Sequence, residues 1–252
     1  MDNIAFVVVS CYKYSDLWPV MMSSIKKYWP SIYKQTYLLT DSAGDLHGDY
    51  NFVVLDKDVS WSDNLIYLCE NLDSKYDHVF LMMEDTPLIG KVDNLKINDY
   101  FTKFMKIKGT FLTLLNEPYP SNSRKNGLQK ISIDSPYRPT ATFSLWNLSK
   151  LRDLLISGES AWEFEKAGAR RSEHDDNYFS FTDHQIKWMH LVVKGKLFPN
   201  VRENLIQYGL RYEGPRDNLP RYDHLRMLMY SKLRSLVFKA TPLKLRKYWV
   251  KI

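Results

Sequence analysis

With 252 residues, 44% of them hydrophobic and 14% aromatic, the chain is long enough to bury a full core as one large domain, or one domain with an appendage, and disorder is not its default. Cys11 and Cys69 are too few for a disulfide framework or a cysteine zinc site, which points to a reducing compartment. The net charge of +6 is uneven: residues 221–252 carry nine Lys or Arg against Asp223 alone, a balance of +8, which leaves 26 basic and 28 acidic side chains, −2, on the other 220 residues.

In chain order, residues 4–9 are a first apolar strand that leaves through Ser10, Cys11 and Tyr12 into a polar loop ending at Asp16. Nothing here has the basic flank and apolar length of a secretory signal, and no run in the chain approaches the roughly 18 apolar residues of a membrane span. A cytoplasmic protein, or one attached to a membrane from the cytoplasm, is the expectation. Trp18-Pro19 opens a helix with Val20, Met21, Met22, Ile25 and Tyr28 on its buried face. Residues 36–39 and 52–55 are two further strands, the first ended by Thr40, Asp41 and Ser42. Ser62 or Asp63 caps a helix in which Leu65, Ile66, Leu68, Cys69 and Leu72 recur at helical spacing.

That helix leads to the stretch that organises the chain. Residues 79–83 form an unbroken apolar run, read as a strand buried on both faces in the middle of a parallel sheet, which stops at the adjacent carboxylates Glu84 and Asp85. Pro87 prevents its continuation. In open α/β sheets ligands bind at the carboxyl ends of the strands, so the two acids stand where a cofactor or substrate would sit. Four strands separated by helices or loops in the first 85 residues predict a Rossmann-like, mostly parallel sheet.

The pattern then loosens. A helix is predicted over 97–107, stopped by Gly109, and buried strands over 110–115 and 142–146. Residues 117–138 read as a polar loop with at most a short strand near 131–133, Asn147 or Ser149 caps a helix through 156, and the segment 158–165 follows. Residues 170–176 read as an exposed loop, and 186–193 as a late strand before Gly195. His174, Asp175, Asp176, Asp183 and His184 fit no zinc spacing and read as ordinary polar loop, with His190 inside the late strand. The division expected is a catalytic domain over 1–200, split at 90 into a nucleotide-binding and an acceptor half, and an extension over 201–252.

This ordering of parts resembles the nucleotide-sugar glycosyltransferases of the GT-A fold, over residues 4–193, and the segment from Tyr137-Arg138-Pro139 through Trp162-Glu163-Phe164-Glu165 to Arg170-Arg171-Ser172 is similar to transferases of bacterial surface polysaccharide, lipopolysaccharide or capsule. The resemblance implies that Ser10, Cys11 and Tyr12 hold the donor base, that Asp41 is the acid after the second strand, and that Glu84-Asp85 is the carboxylate motif, commonly Asp-x-Asp. Thr86 departs from that spacing. A Mg2+ or Mn2+ held by Asp85 would neutralise the leaving nucleoside diphosphate; without a metal, Arg138, Arg170 and Arg171 would make paired hydrogen bonds to phosphate oxygens. The resemblance also implies a carboxylate base near a helix start, with Glu159, Glu163 and Glu165 as candidates and Glu165 favoured beside Trp162 and Phe164, whose surroundings push a carboxyl upward.

The function expected is an inverting glycosyltransferase moving a sugar from a nucleotide donor to a cell-surface glycan, free or lipid-linked. The rival readings are a nucleotidyltransferase, for which the loop after the first strand offers only Lys13, and a non-catalytic carbohydrate- or nucleic-acid-binding module. The aromatic content suits stacking on sugar rings. In the tail, Leu225, Leu228, Met229, Leu233, Leu236 and Val237 recur near helical spacing among basic residues, which predicts a helix lying on the anionic inner leaflet. A helix docked on its own domain is the second reading, and nucleic acid is not the expected partner.

Overall fold

The computed structural model describes residues 3–44, 50–72, 74–115, 120–181 and 186–242. The chain begins with β1 (Ile4–Val9), a 3-10 turn (Tyr12–Leu17), α1 (Trp18–Tyr28), α2 (Pro30–Tyr33), β2 (Thr36–Thr40), β3 (Asn51–Val54), α3 (Trp61–Asn71) and β4 (His78–Met83). It continues through α4 (Asn94–Lys106), β5 (Phe111–Thr113), β6 (Pro120–Lys125), β7 (Leu128–Ile131), β8 (Ser144–Asn147), α5 (Leu148–Leu154), α6 (Ala161–Arg171) and β9 (Tyr178–Ser180). A hairpin of β10 (Val192–Val193) and β11 (Lys196–Leu197) precedes α7 (Val201–Gln207) and α8 (Arg221–Ala240).

Nine strands form one sheet in the order β3-β2-β1-β4-β8-β5-β9-β7-β6. The first four are mutually parallel, and β8 runs antiparallel to both β4 and β5. All of β1 and nearly all of β4 are buried, because helices cover both faces and a strand there has no polar side. Alternate residues feed different cores: Phe6, Val8, Phe80 and Met82 pack against α1 and α4, while Val7, Val79 and Leu81 pack against α3, α5 and α6. The fold class expected from the sequence is therefore the one observed.

From β1 the chain moves outward through β2 to β3 and then returns to place β4 on the other side of β1. That reversal is a topological switch point, where a crevice opens beyond the strand ends. Val9 is in register with Met83, so the exits Ser10-Cys11 and Glu84-Asp85 lie side by side.

Several local expectations give way. Ser60, not Ser62 or Asp63, caps α3, accepting from the Asp63 amide at 3.1 Å. The run 186–193 is a strand only at Val192–Val193; upstream, Lys187, Met189 and Leu191 bond to backbone groups of Ile89, Pro87 and Asp85. Its alternate residues are drawn to the chain leaving β4 rather than to the sheet. Lys194 and Gly195, both at positive φ, make the two-residue turn of the β10–β11 hairpin, a geometry glycine adopts without strain. Helix α6 runs through Arg170 and Arg171, which sequence reading placed in a loop. Beyond the expected boundary at residue 200, Val201, Leu205, Leu210 and Tyr212 share a core with Leu17 and Val20. Helix α8 touches the body near its start, where His224 packs on Phe198, and leaves Leu225, Met229, Leu233 and Leu236 exposed. No helix among the described residues is long and apolar enough to cross a membrane. Asp183, His184 and the basic residues of 243–252 lie outside the described residues.

Candidate functional site

The crevice is built from the exits of β1, β2 and β4. After β1, Ser10 accepts a hydrogen bond from the Trp18 indole at 2.7 Å, and the Tyr12 amide donates to Asp41 at 2.6 Å. The loop expected to hold a donor base is thus fixed to the acid after β2. The Cys11 thiol is pushed up to about 11 by burial and by the charges of Asp58, Glu84 and Asp41, which makes it an inert thiol in an acidic mouth.

Glu84 is 6% exposed, and its Oε2 has no hydrogen-bond partner among the described residues. Burial, reinforced by the charge of Asp85, raises its carboxyl to about 8. Burial also lifts half-buried Asp85 to about 6. The Met83 amide donates to Thr142 at 3.2 Å, which joins the exit of β4 to the chain entering β8.

Glu165 reaches the same edge. Its Oε1 accepts from the Ala141 amide at 2.7 Å, next to Thr142, and burial pushes its carboxyl to about 7. Of the flanking aromatics, Phe164 is core, 4.9 Å from the Trp61 ring, whereas Trp162 is 70% exposed.

The other two base candidates have structural partners. Glu163 closes a capping box with Ser160, and that hydrogen bonding holds its exposed carboxyl below the usual range. Glu159 makes a two-pronged pair with Arg171, both contacts at 2.7 Å. Both carboxylates are thus engaged within the chain.

Two of the three arginines expected at the phosphate, Arg138 and Arg171, are engaged within the chain. Arg138 is fully buried, stacked on the Tyr178 ring at 4.2 Å, and donates to the carbonyls of Ser172 and Asp175. It braces the 172–175 turn from inside. Arg171 is held by Glu159, and exposed Arg170 sits in the last turn of α6, where a cation complements the helix dipole.

The cation that does act on the acid pair is Arg216, which sequence reading missed. Its charge opposes the upward shifts of both Glu84 and Asp85. It forms a fork with Asp16 at 2.7 and 2.8 Å and lies 4.3 Å from the Tyr14 ring. Beside this joint a cleft of about 740 Å3 is lined by Tyr12, Ser15, Asp16, Leu210, Arg211 and Glu213 among others. No periodicity could have paired two residues 200 positions apart.

Among the described residues no group of three or more His, Cys, Asp or Glu could hold a metal ion. Asp175 and Asp176 have ordinary partners in Thr110 and Lys130, and His190 packs on Trp188 and Phe198. The orphaned oxygen of Glu84 beside Asp85 fits a different kind of site. A Mg2+-like ion needs one or two carboxylates when substrate phosphates and water complete its shell.

No protein-family description matches the chain, and no curated protein matches it in sequence. In structure it is similar to S. aureus TarS, with a TM-score of 0.50 and 10% identity over 77% of this chain and 37% of that one. The chain has the Rossmann-like GT-A fold. S. aureus TarS 1-349 in complex with UDP-GlcNAc (TM-score 0.45, 12% identity, 77% and 60% covered) and an active-site mutant of LgtC (0.38, 12%, 85% and 84%) are more distant and add nothing to the argument. The likeness to TarS shows the fold alone. Within this GT-A sheet the reversed strand β8 delivers residues 140–142, and with them Glu165, to the end of β4.

Proposed function

We propose that the chain is a nucleotide-sugar glycosyltransferase that moves a sugar to a cell-surface glycan with inversion, using Glu165 as general base. One observation carries the reading: at the switch point of a GT-A sheet, buried Glu84 and half-buried Asp85 lie beside the Asp41-tethered loop, and a carboxyl raised to about 7 stands at the same edge. The acceptor hydroxyl oxygen attacks the anomeric carbon, the bond to the diphosphate oxygen breaks, and the hydroxyl proton passes to Glu165. A pKa near 7 lets the group accept that proton while being ionised often enough at neutral pH to act. Glu84, shifted to about 8, holds its proton at neutral pH and leaves Asp85 as the charged member of the pair. Asp85, with Glu84 behind it, would hold a Mg2+ or Mn2+, which supplies positive charge to the leaving diphosphate. Ser10, Cys11, Tyr12 and Asp41 frame the donor base.

Helix α8 and the basic residues that follow would rest on an anionic inner leaflet, each cation near the surface adding about 1 kcal/mol, which suits a lipid-linked acceptor. The exposure of its apolar residues supports this over docking on the domain.

The test is turnover of nucleotide sugars, taken in turn over UDP, GDP, CMP and TDP donors. Transfer or slow donor hydrolysis that rises with pH through about 7 and is lost in Glu165→Gln is the expected result. Nucleotide binding with no turnover of any nucleotide sugar would overturn the enzyme reading and leave a binding module.

A further inference from the structure

We propose that Arg216 is a positioning residue of the donor site, clamping the 12–17 loop against the C-terminal segment so that the loop presents a fixed surface to a nucleoside diphosphate; this rests on the glycosyltransferase reading. The loop leaves β1 at the switch point, and its first residue is held by Asp41. Its far half is held by one guanidinium. Arg216 donates through Nε and Nη2 to the two oxygens of Asp16, through Nη2 to the Lys13 carbonyl at 3.1 Å, and through Nη1 to the Gly195 carbonyl at 3.1 Å. It also stacks on Tyr14. Three features of the loop, the Lys13 carbonyl, the Tyr14 ring and the Asp16 carboxylate, therefore share one anchor, and the same anchor reaches the β10–β11 turn.

The clamp is itself braced. Arg202 on α7 donates to the carbonyls of Gly214 and Arg216 at 3.2 and 2.9 Å, and Tyr212 donates to Asp16 at 2.5 Å. The paired side chains are 11% and 17% exposed, and a shielded planar fork of this kind holds direction as well as charge, which a lysine cannot do. What the clamp orients is Tyr14. The ring lies 4.3 Å from the guanidinium on the loop that leaves β1 beside the acid pair, near enough for the charges of Glu84 and Asp85 to reach it. A nucleotide meets the loop and not Arg216, whose nitrogens are already engaged.

The experiment is calorimetric titration of UDP into the full chain and into Arg216→Gln, Arg216→Lys, Asp16→Asn and the double variant Arg216→Gln/Asp16→Asn, with hydrogen exchange of 11–17 measured on each. Asp16→Asn is nearly isosteric and retains an oxygen for Tyr212, which protects the fold. Each single variant is expected to raise the UDP Kd by about tenfold or more, since small misplacements of a positioning element have effects of that order. The double variant should be no worse than the poorer single, the Lys variant should not rescue, and exchange at 12–17 should rise while β4 is unchanged. Wild-type affinity in Arg216→Gln, additive losses in the double variant, rescue by lysine, or unchanged exchange of the loop would each overturn the clamp. Absence of UDP binding to the wild-type chain would instead bring down the nucleotide reading, and this proposal with it.

Discussion

The end of β4 and the flank of α6 both gather acids and bases, and they treat them in opposite ways. On the flank of α6, Glu159 pairs with Arg171, Glu163 closes its cap, and Arg138 reaches two carbonyls and a tyrosine face. At the end of β4, Glu84 keeps an unpartnered oxygen and both acids are raised, while Glu165 has one amide to hold it against burial. A buried group without a partner weakens the fold, and a raised carboxyl pair in that state at a strand-end crevice is a functional-site candidate. The folded state binds the protons of Glu84 and Glu165 more tightly than the unfolded chain, so their contribution to stability is present below about pH 4.5 and lost as pH rises through about 7 to 8.

Substitutions should separate the two regions. The largest effect falls on activity: Glu165→Gln is expected to lower transfer by about 10²- to 10⁴-fold. The same change should raise Tm at pH 8 and leave it unaltered near pH 4, because the neutral amide removes a charge the fold disfavours. Next comes Arg138→Ala, which opens a cavity and strands two carbonyls; a loss of about 3 kcal/mol in urea unfolding is expected, with nucleotide affinity unchanged. Weakened nucleotide binding there would return Arg138 to the donor site. Glu159→Gln breaks a half-shielded fork and should remove about 1 kcal/mol without changing kcat. A collapse of kcat would make Glu159 the base after all. Ser160→Ala should remove about 1 kcal/mol by loss of the cap, again with activity intact.

The donor half was readable because its signals are local. Val7, Val8, Phe80 and Leu81 belong to unbroken apolar runs that only a doubly covered strand accommodates, and each run ends at the polar residues that form the crevice. Glu84-Asp85 could be placed from the run it terminates. The acceptor half depends on distant contacts. Arg138 sits in a loop-like stretch and looks solvated, yet the Tyr178 face and the 172–175 carbonyls bury it. Glu159, Glu163 and Glu165 are indistinguishable by spacing, and only their partners Arg171, Ser160 and Ala141 sort them. The Asp16–Arg216 joint left no mark on local pattern, since its halves are brought together by the core of α1, α7 and the hairpin. In 186–193 the apolar residues were real but served the chain leaving β4.

The most direct test of the claim that the β4 edge awaits a nucleotide is a thermal-shift screen of the wild-type chain and Asp85→Asn against UDP, GDP, CMP and TDP compounds, with and without Mn2+. Saturation at about a hundredfold over Kd adds about 2.7 kcal/mol to stability, an ample shift to detect. The account predicts a rise in Tm with one nucleotide that is larger with Mn2+ and is lost in Asp85→Asn. No shift with any nucleotide, or a shift of equal size in Asp85→Asn, would contradict it.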